Sequence, residues 1–315
     1  MTFWLITAAV TFGVFAAVVT IGSMAVRIAA PSIARRFEAY SPATSAAVLF
    51  RLRMLPAAVA LFAAFAIVLP VFLAYEPRAT GEAVPALLAA FACGGAALLL
   101  RGAWRALTAW QATRAVAREW RRRGRRLDSF DITLPVYAIE ETFPTVAVVG
   151  VAHPALFIAE RVLRECPDDE VRAMLRHECA HVAKRDNLKR FLMRACPDFA
   201  GADLERAWAR AAEEAADAAV VAAAPRYAVE LAQALIHVAR LAPSPEAPAL
   251  ASAFYLGGSI ESRVRRLVEP GPAPHARLHT GRIVAGAAAL AGVAFAVAGA
   301  PAIHGVVETL IRSLP

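Results

Sequence analysis

The chain has 315 residues, of which 59% are hydrophobic, with a formal net charge of +8 and four cysteines. That length would suit one or two soluble domains, but the apolar residues are gathered into long uncharged runs, which argues against an ordinary soluble enzyme. Four scattered cysteines likewise argue against a disulfide-built scaffold.

Met1–Val26, Met54–Tyr75, Ala83–Leu100 and Ile283–Val307 contain no charged residue. A helix needs roughly 20 apolar residues to cross a bilayer. Membrane helices are therefore predicted over about 1–26, 54–75, 83–100 and 283–303. The competing reading is a set of helices buried in a large soluble core. The first run lacks the basic start and small-residue cleavage site of a signal peptide, and reads as a retained span.

Basic residues in the short connections set the orientation. Arg27, Arg35, Arg36, Arg51 and Arg53 lie between the first two spans, and Glu76, Arg78 and Glu82 between the second and third. Nine arginines against Glu119 alone fill 101–126, matching the excess of the whole chain. The N-terminus is thus predicted outside a bacterial-type plasma membrane, the region 101–282 in the cytoplasm and the C-terminus outside. Trp104, Trp110 and Trp120 interleave the arginines, which suits a basic amphipathic helix over 101–130 on an anionic leaflet better than a nucleic-acid site. The lipid bilayer is an expected partner; nucleic acid is not.

Beyond the arginines, Ile132–Ile139, Thr145–Val151 and Ala155–Ile158 are short β-branched stretches set off by Pro144, Gly150 and Pro154. They predict two or three strands. A helix is predicted from Pro167, with Asp168, Asp169 and Glu170 in its first turn and Lys184 and Arg185 closing it, as the helix dipole prefers. Further helices are expected from near Asp203 to before Pro225, and from about Tyr227 to Leu241. Prolines at 243, 245 and 248 mark a loop, and those at 270, 272 and 274 a linker.

The first of these helices carries His177-Glu178-Cys179-Ala180-His181, an HExxH motif. Two imidazoles four residues apart share one helical face and can grip one metal ion, while the glutamate beside the first can take a proton from an attacking water. Catalytic zinc needs three protein ligands and an open position. The remaining histidines, His153, His237, His275, His279 and His304, have no supporting pattern. Glu213 and Asp217 share a helical face one helix downstream; Glu214 is turned about 100° away. The plainer reading of these acids is a solvated face shared with Arg206 and Arg210. In an alanine-rich segment following HExxH, Glu213 as ligand and Asp217 as imidazole partner is the stronger reading. Asp186 either orients an imidazole or caps a turn.

The run Val148–Leu188 resembles the BlaR/MecR-type integral-membrane zinc metallopeptidases. The matching elements are Val149-Gly150, His153-Pro154, Phe157-Ile158, Asp168-Asp169-Glu170, the HExxH and Asp186. Glu213 to Asp217 resembles the family's Glu-x-x-x-Asp segment, in which the glutamate is the third zinc ligand, and Glu261-Ser262-Arg263-Val264 resembles an element just before the final span. HtpX-like and CAAX-prenyl proteases share the HExxH and Glu-x-x-x-Asp pattern, with other arrangements of spans. The antibiotic-sensing members carry a penicillin-binding domain after the last span. This chain ends at Pro315, so β-lactam sensing is not expected of it.

The fold class that follows is mainly α: three spans over 1–100, the basic helix over 101–130, an α+β zincin-like (gluzincin) domain over 131–270, and a linker with a fourth span over 271–315. The resemblance implies a membrane-embedded zinc endopeptidase acting on protein or peptide substrates, with a role in regulatory signalling. One catalytic Zn2+ would be held by His177, His181 and Glu213, with Glu178 as general base and Asp217 and Asp186 behind the imidazoles. Strand backbone near Val146–Val149 or Leu156–Ile158, with Val146, Val148 and Phe157, is expected to hold an extended substrate by edge pairing. A catalytically silent transducer or scaffold is the alternative; retention of Glu178 argues against it.

Overall fold

A computed structural model describes residues 2–37, 39–77, 84–199, 202–241 and 260–269, together with positions 305 and 309. The predicted fourth span and the linker before it lie outside the described residues.

The described chain is mainly helical, with one small mixed sheet. Helix α1 (Thr2–Phe37) is followed by α2 (Pro42–Leu61), a π-helical stretch (Phe62–Val68) and α3 (Leu69–Tyr75), the last three running on as one rod. Helix α4 spans Ala86–Arg123. These give three helices long and apolar enough to cross a membrane, Phe3–Phe37, Pro42–Tyr75 and Ala86–Arg123. Close packing of α1 on α4 depends on Gly95, where an added Cβ would fall 2.2 Å from the Phe12 carbonyl oxygen.

The basic segment is not a separate helix. Helix α4 runs unbroken through Arg123 and stops at Gly124, because no proline or cap interrupts it earlier. Two of its three tryptophans also serve another purpose than the one expected. Trp110 meets Phe191 edge-on at 6.3 Å, and Trp120 packs on Phe157 at 5.2 Å. Both fix α4 to the domain below; Trp104 remains exposed.

The sheet comprises β1 (Arg125–Leu127), β2 (Val136–Ile139), β3 (Val146–Val149) and β4 (Ala155–Ala159), in the order β1-β2-β4-β3. Strand β2 runs parallel to β4, while β1 and β3 are antiparallel to their neighbours. Strand β3 therefore has a free edge and β4 has none. Five helices follow: α5 (Glu160–Glu165), α6 (Asp168–Ala183), α7 (Asp186–Ala195), α8 (Ala202–Ala223) and α9 (Tyr227–Leu241). Helix α10 (Ile260–Val268) closes the described part. Short α5 and α7 and the strand inside the arginine block were not expected from the sequence.

Helix α8 belongs to two cores. Its C-terminal half contributes Val220 to the main core of sheet, α6 and α9. Its N-terminal half, through Leu204, Trp208, Ala211 and Ala212, packs with Val26 of α1 and Ala46 and Leu49 of α2. The helix that carries Glu213 is thereby a beam between the candidate membrane helices and the domain.

A buried ion pair locks that beam. Arg53 of α2 is 1% exposed and its guanidinium bonds Asp198, whose side chain is fully buried, and Glu205 at 3.1 Å. A third bond reaches the Met193 carbonyl at 3.1 Å. Removing one partner strands a buried charge, so Arg53→Met should cost about 3–5 kcal/mol, read as a lowered unfolding midpoint in detergent. Pairing it with Asp198→Leu should restore most of the loss; additive losses would show that the two do not interact.

Candidate metal centre

Helix α6 places His177 and His181 one turn apart on its buried face, with Glu178 between them. Among the described non-glycine residues, Arg185 alone has a positive φ, 55°. Its left-handed conformation ends α6 as such a residue often does. The chain then turns straight into α7, whose first residue, Asp186, comes back to His181. Helix α8 brings Glu213 and Asp217 from the other side.

His177, His181 and Glu213 form a buried metal-binding cluster. The His177 and His181 Nε2 atoms are 3.2 Å apart. Glu213 Oε2 is 3.3 Å from His177 Nε2, and Oε1 is 3.5 Å from His181 Nε2. Ligands about 2.0–2.1 Å from tetrahedral zinc lie about 3.3 Å from one another, so the three edges fit one ion.

The proton inventory points the same way. His177 Nδ1 faces Asp217 Oδ1 at 2.9 Å, and His181 Nδ1 donates to Asp186 Oδ2 at 2.9 Å. Neutral imidazoles with Nδ1 protonated leave both Nε2 lone pairs turned toward each other and toward a carboxylate. Three acceptors meet at one point, a repulsive arrangement that a cation resolves. Without one, protons must take its place: burial lowers His181, but Asp186 and Glu213 outweigh it and push the imidazole up to about 10. Glu213 is held well below the usual carboxylate range, its burial overcome by the two histidines.

Asp217 is the most constrained of the supporting acids. Arg263 of α10 grips it with two bonds, 2.8 Å from Nε and 2.7 Å from Nη2. The same guanidinium reaches Glu213 Oε2 at 3.3 Å. Burial raises Asp217, but His177 and Arg263 bring it down to about 2. Asp186 is also held low, bonded by His181 and by Lys189 at 2.9 Å against its burial. Glu214 points elsewhere, to Arg266. Arg206 pairs with Asp203 rather than with Glu213, so the solvated acidic face does not form.

Glu178 is buried, and burial pushes its carboxyl up from the ordinary range. Its Oε2 accepts the Val148 N–H at 3.0 Å. The Asn187 amide donates to the Val148 and Gly150 carbonyls at 3.1 and 3.0 Å. Both backbone groups of Val148 therefore face the free edge of β3, beside the cluster. A cavity of about 420 Å³ adjoins it, lined by Gly150, Val151, Pro154, His181, Val182 and Leu188 among others.

The expectation for Phe157 and for an edge at Leu156–Ile158 does not hold. Both edges of β4 are consumed by β2 and β3. Phe157 is fully buried, stacked on Tyr137 at 5.5 Å. Val146 and Val148 do lie on the edge strand. Asn187, Arg190 and Arg263 were not singled out as site residues. Arg190 lies 3.4 Å from Glu213 Oε1 with its guanidinium over the Trp208 ring. Only Arg263 left a trace, within the Glu261–Val264 element.

Residues 136–280 match peptidase family M48. The chain carries an M48 peptidase domain. Together with the His177/His181/Glu213 cluster, this makes the protein a zinc metallopeptidase. No curated protein and no solved structure matches the chain. The M48 match takes in strands β2, β3 and β4, the HExxH helix, the Glu213 helix and the Arg263 helix, so each described residue of the cluster and its supports lies within it, while β1 lies before it. Within the M48 segment, 200–201, 242–259 and 270–280 lie outside the described residues.

Proposed function

We propose that the protein is a membrane-embedded zinc endopeptidase that cuts proteins at the cytoplasmic membrane surface, with one catalytic zinc on His177, His181 and Glu213. The observation that carries this is the convergence of three buried acceptors at tetrahedral spacing beside a buried glutamate and a free strand edge. Bound zinc would supply Lewis-acid polarisation of the scissile carbonyl and activation of a water.

The chain's own residues do the rest. Glu178, lifted by burial toward the working pH, takes the proton of the attacking water and passes it to the leaving amine. Asp217 and Asp186 hold the two imidazoles in the Nδ1-protonated form, which aims both Nε2 lone pairs at the same point. The two-residue repeat of a strand turns the N–H and C=O of Val146 the same way as those of Val148. An extended peptide added along β3 is thus aligned past Glu178, with side chains reaching the adjoining cavity. Such pairing displaces Asn187 from the Val148 carbonyl and releases Glu178 from the Val148 N–H.

The cytoplasmic placement rests on the arginines that crowd the ends of the three candidate spans. The narrower likeness to BlaR/MecR-type peptidases, and with it a role in regulatory signalling, rests on the Glu261–Val264 element and the predicted layout of spans. Mass spectrometry of an unfolded polypeptide incubated with the purified zinc-loaded protein tests the endopeptidase reading. Internal cuts with intact termini are expected; stepwise trimming from one end would contradict it.

A further inference from the structure

A second group of metal-binding side chains lies at the opposite end of α6 from the turn at Arg185. Cys166 sits in the turn between α5 and α6, Glu170 in the first turn of α6, and His237 on α9. One ligand atom from each lies within 4.8 Å of the others. The His237 Nδ1 is 2.6 Å from Glu170 Oε2. Cys166 and Glu170 are buried, whereas the His237 side chain is 40% exposed, which leaves one open side for an ion to enter.

We propose that Cys166, Glu170 and His237 form a second, exchangeable site for a borderline-soft divalent cation such as zinc, separate from the catalytic cluster. One sulfur, one imidazole nitrogen and one carboxylate oxygen make a zinc-type donor set rather than a calcium or magnesium one. Three protein ligands and a solvent-facing side leave the fourth position to water. Insertion requires the His237–Glu170 contact to open from 2.6 Å to about 3.3 Å, the spacing of a tetrahedral pair. The Cys166 thiol must also give up its proton to solvent.

Local charge both opposes and favours this. The positive end of α6 disfavours a cation, but Asp168, Asp169 and Glu170 in the first turn offset it. Burial, with Glu170 and Glu165 nearby, pushes the free Cys166 thiol up to about 11. The same negative charges that oppose a bare thiolate attract a divalent ion, which neutralises them. Occupancy would clamp α9 and the α5–α6 turn onto the helix that carries the HExxH motif, so the site suits a zinc-level control on the peptidase.

Cobalt substitution separates the two sites, because the catalytic cluster contains no sulfur. Purified full-length protein in detergent is stripped of metal and titrated with Co2+ alone. The expected result is a near-ultraviolet thiolate-to-cobalt charge-transfer band and two equivalents bound. Cys166→Ser should abolish the band and His237→Ala should weaken binding at that site at least tenfold, while both still bind one equivalent. His237 is half-exposed, so its variant reads out the site even if Cys166→Ser fails to fold. Absence of the band in the parent, its persistence in Cys166→Ser, or unchanged affinity in His237→Ala would overturn the proposal.

Discussion

Glu178→Gln is expected to lower proteolysis by about 10²–10⁴-fold while leaving zinc bound. The amide keeps the size of the side chain and can still meet the Val148 N–H through its oxygen, the contact now made at 3.0 Å. It cannot accept a proton. The carboxylate does not belong to the His177/His181/Glu213 cluster, so metal content should stay at the parent level. Removing a buried acid that burial already holds above its ordinary range should not destabilise the fold. Equal activity in parent and variant would remove Glu178 from the mechanism.

Asp217→Ala should give the largest loss of stability of any change near the cluster. It leaves the Arg263 guanidinium, 2% exposed, without the two bonds at 2.8 and 2.7 Å. Breaking a buried pair from one side costs about 3–5 kcal/mol. The His177 ring also loses its Nδ1 partner, which should weaken zinc binding by about 10–100-fold. Chemical denaturation and competition against a chelator measure the two effects separately. Asp217→Asn, which keeps the shape and can still bond Arg263, should recover part of the stability but less of the affinity. Acid acts through the same carboxylate. Because Asp217 is held down to about 2, its contribution is complete above the unfolded value near 3.9 and is lost as pH falls through about 2.

How far the sequence reached depends on the range of the interactions involved. The HExxH helix was legible because its periodicity, acidic first turn and basic end agree, and α6 runs over Asp168–Ala183. Glu213 stood out over Glu214 through its four-residue spacing to Asp217, a local relation. The Arg263–Asp217 clamp was not legible, since it joins residues 46 positions apart and no spacing rule reaches that far. Arg53 illustrates the same limit. Counted as one more basic residue between spans, it is in fact buried against Asp198 and Glu205 and ties a candidate span to the helix of the third ligand. Helix α7 begins immediately after α6 at a left-handed arginine rather than at a glycine, so no breaker marked the junction. Trp110 and Trp120 were misplaced because composition alone does not distinguish a ring at a lipid interface from one packed on Phe191 or Phe157.

Zinc depletion and restoration test whether the His177/His181/Glu213 cluster holds a catalytic metal. Purified full-length protein in detergent is assayed on an unfolded polypeptide before chelation, after removal of metal, and after zinc is returned in increments. Internal cleavage should disappear with the metal and return with zinc in the parent, but not in His177→Ala or Glu213→Ala. Cleavage that survives full removal of zinc, or undiminished restoration in either variant, would contradict a catalytic zinc on His177, His181 and Glu213.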